Sequence, residues 1–351
     1  MKIGIITYHF AINYGAVLQC YALQSYLKEK GYDVEVLNYI NDKQEKNNKI
    51  FKYGGLKAII SNICLLPFIP QISRKRKKFK LFNSKYLNLS KRITNIEELK
   101  EYIDKNEFDY IISGSDQVFN PKINDFDRAF LFPFETNAKK ISYAASTGSA
   151  SREDIKKIES YIEEFCKISI REESDKNKFN ENIKQRIETV SDPVILKNKE
   201  KWYEIIDKKD KSSEKYLVCY FLHKNIFTEE YKIAEKIAKE KGLKMIVINV
   251  RYSKQSIRKN TLFNVGPEDF LRLIANADYV CTDSFHGTIF SIIFNKNFSC
   301  FDTKNNINDS RRKNILENVG LLNRMLYIEN NEFNTNQINY DSVNKKVEEI
   351  R

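Results

Sequence analysis

The stretch KIGIITYHFAINYGAVLQCYALQSYLKEKGYDVEVLNY, Lys2 to Tyr39, holds two hydrophobic periods in one run. KIGIITY is a short continuous apolar segment, the pattern of a strand buried on both faces. The loop HFAINYGA follows. In VLQCYALQSYLKEKGY, residues Val17, Leu18, Tyr21, Ala22, Gln24, Ser25, Leu27 and Lys28 then alternate faces at helical spacing, and Gly31 supplies a stop. VEVLNY is the next strand. Strand, loop, helix, strand is the opening of a parallel, doubly wound sheet.

The same grammar continues outward. Residues 41–90 form a helical and basic insertion, and ITNIEELKEYIDKN is a helix with Thr94 as cap and Glu97 three positions on. FDYIISGS and KKISYAASTGSA are strands ending in small residues. SREDIKKIESYIEEF is a helix, and CKISIREESD is a strand running into polar residues. Asp-Pro in SDPVILK, Ser191 to Lys197, interrupts regular structure. After it the pattern restarts with strand KYLVCYFL, helix IFTEEYKIAEKIAKEKG and strand LKMIVINV. Next come a helix at GPEDFLRLIANA with Pro267 in its first turn, strand DYVCTDS, helix GTIFSIIFNK and strand NFSCFD. SRRKNILENVG is a closing helix, and the tail is polar and weakly patterned. The fold class expected is therefore α/β, two Rossmann-like domains facing across a cleft. The boundaries are 1–193, 194–325 and a tail 326–351 that packs back on the N-terminal domain.

Composition narrows the class. The 351 residues are 42% hydrophobic, with 20 Tyr and 23 Phe, enough for two ordinary cores. No apolar run is long enough to span a bilayer, and the N-terminus enters a strand without the features of a signal peptide. Six scattered Cys without CxxC spacing read as reduced, buried thiols of a cytoplasmic protein. The net charge of +12 favours anionic partners, but no nucleic-acid-binding motif is present. The densest basic run, SRKRKKFK at Ser73 to Lys80, follows the apolar segment IISNICLLPFIP. Two readings stand for this arrangement: an excursion over the core with a solvated basic flank, and a peripheral contact with an anionic membrane.

Ligands of open parallel sheets bind beyond the carboxyl ends of the strands. The candidate loops there are HFAINYGA, with His9, Asn13, Tyr14 and Gly15; SGSDQVFNP, with Ser115, Asp116 and Gln117; AASTGSA, with Ser146; and SIREESD, with Arg171. In the second half the candidate is TDSFHGT, with Ser284, His286, Gly287 and Thr288. All three histidines, His9, His223 and His286, follow predicted strands. His286 is expected at a helix N-terminus facing the cleft, where the dipole disfavours an imidazolium and a neutral ring can relay a proton. The glycine beside it is expected to let a ligand approach the backbone, with the N–H groups of Gly287 and Thr288 on an anion. The competing reading is a core histidine satisfied by a hydrogen bond.

The ordered set IGIITYHFAINYGAVLQCYALQ, FDYIISGSDQVFNP, SIREESD, SDPVIL and ADYVCTDSFHGTIFSIIFNKNF resembles the polysaccharide pyruvyl transferase family over about Met1 to Leu326. The resemblance implies a glycosyltransferase-B-like (GT-B-like) fold. It also implies transfer of a pyruvyl group from phosphoenolpyruvate to two hydroxyls of a sugar as a cyclic ketal, without metal or nucleotide cofactor. The acceptor implied is a sugar or lipid-linked oligosaccharide in the cytoplasmic assembly, at the inner face of the membrane, of capsule, exopolysaccharide or other bacterial cell-surface glycans. Family members resemble Arg-Leu-His where this chain has Ser284-Phe285-His286, so another cation must hold the donor. Arg171, Arg311 and Arg312 are the candidates, with His286 for proton transfer and Asp116 as a second acceptor or sugar contact. The remaining alternatives are a glycosyltransferase using a nucleotide sugar and a non-catalytic glycan-assembly binding protein.

Overall fold

The computed structural model describes residues 1–51, 54–123, 126–206, 214–222, 227–250, 252, 260–302, 310–330 and 334–351. The chain divides into two compact units. The first is Met1–Lys49, Leu81–Lys197 and Ile350–Arg351; the second is Ile50–Lys80 and Asn198–Glu349.

The first unit opens with β1 (Lys2–Ile6), α1 (Tyr14–Glu29), β2 (Asp33–Val36) and α2 (Asp42–Asn47). The stretch Ile50–Lys80, with α3 (Gly55–Leu65) and most of α4 (Ile69–Tyr86), belongs to the second unit. The first unit resumes with α5 (Ile96–Lys105), β3 (Tyr110–Asp116), β4 (Lys139–Ala145), α6 (Arg152–Lys156), α7 (Glu159–Ile162), β5 (Lys167–Ile170), α8 (Glu181–Lys184) and β6 (Ile187–Thr189). Its sheet runs β2-β1-β3-β4-β5-β6 with every pair parallel. Apolar runs suit strands covered on both faces: Ile6 and Ile111 enter one core cluster, Ile5 and Ile112 another. The order reverses between β1 and β3, so the crevice of this sheet opens at their carboxyl ends.

The second unit carries α9 (Lys199–Tyr203), β7 (Tyr216–Tyr220), α10 (Phe227–Glu240), β8 (Lys244–Ile248), β9 (Thr261–Leu262), α11 (Pro267–Ala275) and β10 (Tyr279–Thr282). It continues with α12 (Phe285–Ile293), β11 (Asn297–Asp302), α13 (Ser310–Asn318), β12 (Met325–Tyr327) and α14 (Tyr340–Glu349). Its parallel sheet runs β12-β11-β10-β7-β8-β9, the strand order of dinucleotide-binding sheets, and reverses between β7 and β10.

Several local expectations shift. The cap of α5 is Asn95, whose side chain accepts from Glu98 N, while Thr94 donates to the Glu98 carboxylate at 2.8 Å and 2.9 Å. The helix expected over 151–165 is two short helices. Ile155, Ile158 and Ile162 all reach the core, but Ile158 takes φ −123° and breaks the hydrogen-bond ladder. The described residues of the tail carry regular structure: β12 pairs with β11, and α14 buries Val343 and Val347 at i, i+4. Asp-Pro is realised as a helix start, with Asp192 accepting from Val194 N at 3.0 Å and Pro193 in the first turn of a 3₁₀ helix.

Candidate active site

The turn Thr282–Thr288 lies at the reversal point of the second sheet. Thr282 pairs with Tyr220 of β7 on one side and Cys300 of β11 on the other. Two hydrogen bonds hold the ends of β7 and β10 together there: Thr282 Oγ1 donates to Tyr220 O at 2.7 Å, and Leu222 N donates to Asp283 Oδ1 at 2.6 Å. Ser284 caps α12, so the helix begins at Phe285, two residues earlier than expected, and His286 sits in its first turn. His286 is half-buried, with Phe285 against it edge-to-face at 5.1 Å.

The neighbours of His286 do work other than that read from sequence. Gly287 N donates to Ser284 Oγ at 3.3 Å, and Thr288 N donates to Ser284 O at 2.9 Å. Both donors are therefore spent inside the helix, which corrects the expectation that they hold an anion. Thr288 Oγ1 turns inward to Ser284 O and Cys300 Sγ. A Cβ on Gly287 would fall 2.4 Å from Thr282 Oγ1. The glycine thus lets α12 pack on β10; it does not open the backbone to a ligand.

The two arginines of α13 have opposite roles. Arg312 is wholly buried; it donates to Phe301 O and pairs with Asp302 at 3.1 Å, at the end of β11. It anchors α13 and is not available to a donor. Arg311 lies over the Phe285 ring, its Cζ 5.8 Å from the centroid. Arg311, Phe285, Ser284 and His286 are thus one neighbourhood, built from β10, α12 and α13 of the second unit.

At the reversal point of the first sheet, Thr7 Oγ1 donates to Ser115 O, Gln19 Nε2 to Thr7 Oγ1, and Ser115 N to Gln19 Oε1. Ser115 Oγ donates to Ala144 O, and Ser146 Oγ accepts from Gly148 N. Ser115 and Ser146 are buried, so these hydroxyls, expected as acceptor contacts, hold the loops together. Gly114 is required: its φ is +121°, and a Cβ would lie 2.4 Å from the Tyr143 carbonyl oxygen. Asn13 caps α1 by accepting from Ala16 N at 3.3 Å, while Tyr14 and Gly15 are buried in that helix. Gln117 accepts from Asn120 at 2.7 Å.

Arg171 is set among carboxylates: Asp192 at 2.9 Å, Glu172 at 3.6 Å and Asp116 at 3.7 Å. Its side chain is 3% exposed, so its charge balances acids of its own unit. Sequence singled out SIREESD and SDPVIL separately; the fold joins them, 21 residues apart, through Arg171 and Asp192. Asp116 takes φ +72°, costly for a non-glycine residue, and its Oδ1 accepts from Gln117 N at 2.9 Å. Thr7, Gln19, Glu172 and Asp192 were not picked from sequence as site residues, because only packing reveals their contacts.

His9 corrects another expectation. It is 1% exposed, with Nδ1 3.1 Å from Thr7 O and Nε2 3.0 Å from Asn38 Oδ1, so it is a core histidine. Burial lowers its pKa, against the raising effect of the two hydrogen bonds. The unfolded chain therefore takes up a proton below about pH 6.5 that the folded chain refuses. Stability conferred by the neutral ring is present above that pH and falls as pH drops, by at most about 1.4 kcal/mol per pH unit. Urea unfolding at a series of pH values should show this slope, and His9→Gln should flatten it. An equal slope in the variant would assign the acid sensitivity to carboxylates.

His223 lies outside the described residues. Cys20, Cys219, Cys281 and Cys300 are buried free thiols, but Cys64 and Cys166 are exposed, against the expectation that all six are buried. No cluster of three or more His, Cys, Asp or Glu placed to hold a metal ion occurs among the described residues. No helix among them is long and apolar enough to cross a membrane.

Comparison with known proteins agrees with this architecture. The family model described as polysaccharide pyruvyl transferase matches residues 13–305. Comparison with curated proteins gives no match. Among solved structures, the chain is similar to the UDP-GlcNAc 2-epimerase from Methanocaldococcus jannaschii, with TM-score 0.51, 13% identity and coverage of 100% of this chain and 92% of that one. It is also similar to the S. aureus MnaA–UDP structure, with TM-score 0.53, 10% identity, and coverage of 99% and 87%. The UDP-GlcNAc 2-epimerase from Neisseria meningitidis bound to UDP-GlcNAc gives TM-score 0.52, 9% identity, and coverage of 99% of both chains. At such identities the likeness establishes the fold, two Rossmann-like units of the GT-B type.

Proposed function

Because this chain belongs to the polysaccharide pyruvyl transferase family, we propose that it moves a pyruvyl group from phosphoenolpyruvate onto two hydroxyls of a sugar in a lipid-linked or cell-surface glycan precursor. The product is a cyclic ketal. The observation that carries this reading is the position of His286: inside the family-matched region, half-buried, in the first turn of a helix at the reversal point of a parallel sheet.

The chemistry needs a proton donor at the methylene carbon of the donor, a cation for its phosphate and carboxylate, and a base for the attacking hydroxyl. His286 supplies the proton and takes one back from the first hydroxyl. Arg311, over Phe285, is the cation beside Ser284, where family members resemble arginine; its guanidinium fork suits phosphate and carboxylate. The carbon–phosphate oxygen bond breaks and two carbon–oxygen bonds to the sugar form. One hydroxyl hydrogen ends on the new methyl group and the other on the released phosphate. Asp116, at the reversal point of the first sheet, is proposed as a contact for a sugar hydroxyl.

A second reading, transfer from a nucleotide sugar, draws on the strand order of the second sheet and on the UDP in the similar MnaA structure. One experiment separates the readings. Phosphoenolpyruvate is expected to raise the melting temperature and to release phosphate only when a lipid-linked sugar acceptor is added. Stabilisation by UDP-sugars alone, with UDP released on adding the acceptor, would establish the second reading. Stabilisation by phosphoenolpyruvate without turnover on any acceptor would indicate a binding protein.

A further inference from the structure

Helix α3 is turned the wrong way round for a helix that covers a core. Leu56, Ile59, Ile60 and Ile63 are 72%, 56%, 53% and 59% exposed. Their spacing of 3, 4 and 7 residues places them on one face, an arc of roughly 100° at 3.6 residues per turn. The face turned away from solvent carries Ala58, Ser61, Asn62 and Leu65, all half-buried. The more apolar face is thus the one in water, and it continues into Leu66, 53% exposed. A single exposed leucine needs no account, but a contiguous helical face of them does.

The next helix supplies the charge. Of the basic run at the start of α4, Lys75 is buried, Arg76 is half-buried, and Lys78 is paired with Asp269 at 2.7 Å. Arg74, Lys77 and Lys80 are exposed, at spacings of 3 and 3, on the face opposite the buried Ile72 and Phe79. An outward apolar arc followed within one continuous stretch by an outward basic row is the chemistry of the boundary between acyl chains and anionic headgroups. We propose that residues 56–80 form a peripheral docking surface for an anionic lipid bilayer. Leu56, Ile59, Ile60 and Ile63 insert below the headgroups, and Arg74, Lys77 and Lys80 meet them. A second copy of this chain would cover the apolar arc but gives no reason for the exposed basic row that follows it in the same stretch. The surface is independent of the pyruvyl-transfer reading, and its test reads binding, not turnover.

The full chain is floated with phosphatidylcholine vesicles and with vesicles that also contain phosphatidylglycerol. It is expected to co-float with the second only, and less so at high salt. Ile59→Asp/Ile63→Asp should lower the partition coefficient by about 10²-fold or more, from the lost burial of two isoleucines. Arg74→Glu/Lys77→Glu/Lys80→Glu should do the same, since each basic residue near such a surface contributes a factor of about 5. Both variants alter exposed side chains and should retain the wild-type circular dichroism and melting temperature. Absence of wild-type binding to anionic vesicles would overturn the proposal, as would binding that survives the isoleucine substitutions. So would a lipid-free dimer, seen by sedimentation equilibrium, that the isoleucine substitutions dissolve; the arc would then belong to a second copy.

Discussion

His286→Ala should lower turnover about 10²–10⁴-fold, the range for loss of a general acid or base. The fold should tolerate it: the ring is half-buried, with Phe285 packed edge-to-face against it, so the stability change should stay within about 1 kcal/mol. His286→Gln is the sharper variant. Glutamine keeps a hydrogen-bonding group of similar reach but carries no proton between donor and acceptor. It should be as inactive as alanine and as stable as the wild type. The measurements are phosphate release from phosphoenolpyruvate in the presence of acceptor, and urea unfolding of each variant. Full activity of His286→Gln with an unfolded His286→Ala would make the residue a structural hydrogen-bonding histidine, and the proton-transfer role would fall.

Adjacent arginines of α13 should respond in opposite ways. Removing Arg312 leaves Asp302 as a buried charge without the guanidinium now 3.1 Å away. Arg312→Met is therefore expected to cost about 3–5 kcal/mol in urea unfolding. Arg312→Met/Asp302→Leu, which removes both charges, should recover much of that loss, because an ion pair taken from water is often no better than apolar packing. Arg311→Ala should leave unfolding nearly unchanged and lower kcat/KM for phosphoenolpyruvate about 10–100-fold, the loss of a charge-assisted hydrogen bond of about 1.5–3 kcal/mol. Should Arg312→Met cost under about 1 kcal/mol, the pair does not anchor α13. If Arg311→Ala leaves kcat/KM untouched, another cation holds the donor.

The site was partly legible from sequence. TDSFHGT could be placed at a strand end because DYVC and IFSIIF differ in local period, and that periodicity survives in β10 and α12. The helix start was misplaced by two residues, because Ser284, whose side chain accepts from the N–H three positions on, is the cap and was not read as one. What each donor and cation faces was not legible. Nothing in SRRKNIL distinguishes Arg311 from Arg312; only the packing of α13 sends one to Asp302 and the other to Phe285. His9 and His286 both follow strands, yet one is enclosed beside Asn38 and the other remains half-buried.

By itself the sequence determined those elements whose free energy is local: long apolar-periodic helices such as α1 and α11, the continuous apolar strands β1, β7 and β10, and the caps and prolines that bound them. These choices depend on side chains within a few residues, so the spacing of residues records them. The tertiary structure decided what depends on partners far along the chain. The edge strands β6, β9 and β12 are two or three residues long and exist because a neighbouring strand offers hydrogen bonds. The split between α6 and α7 at Ile158 is not marked by the i, i+3, i+7 spacing of Ile155, Ile158 and Ile162, and the outward turn of α3 reverses what its own composition favours. Local propensity differs by less than about 1 kcal/mol per residue, whereas burying one large side chain contributes about 1.5–3 kcal/mol. Where the two compete, contacts distant in sequence prevail.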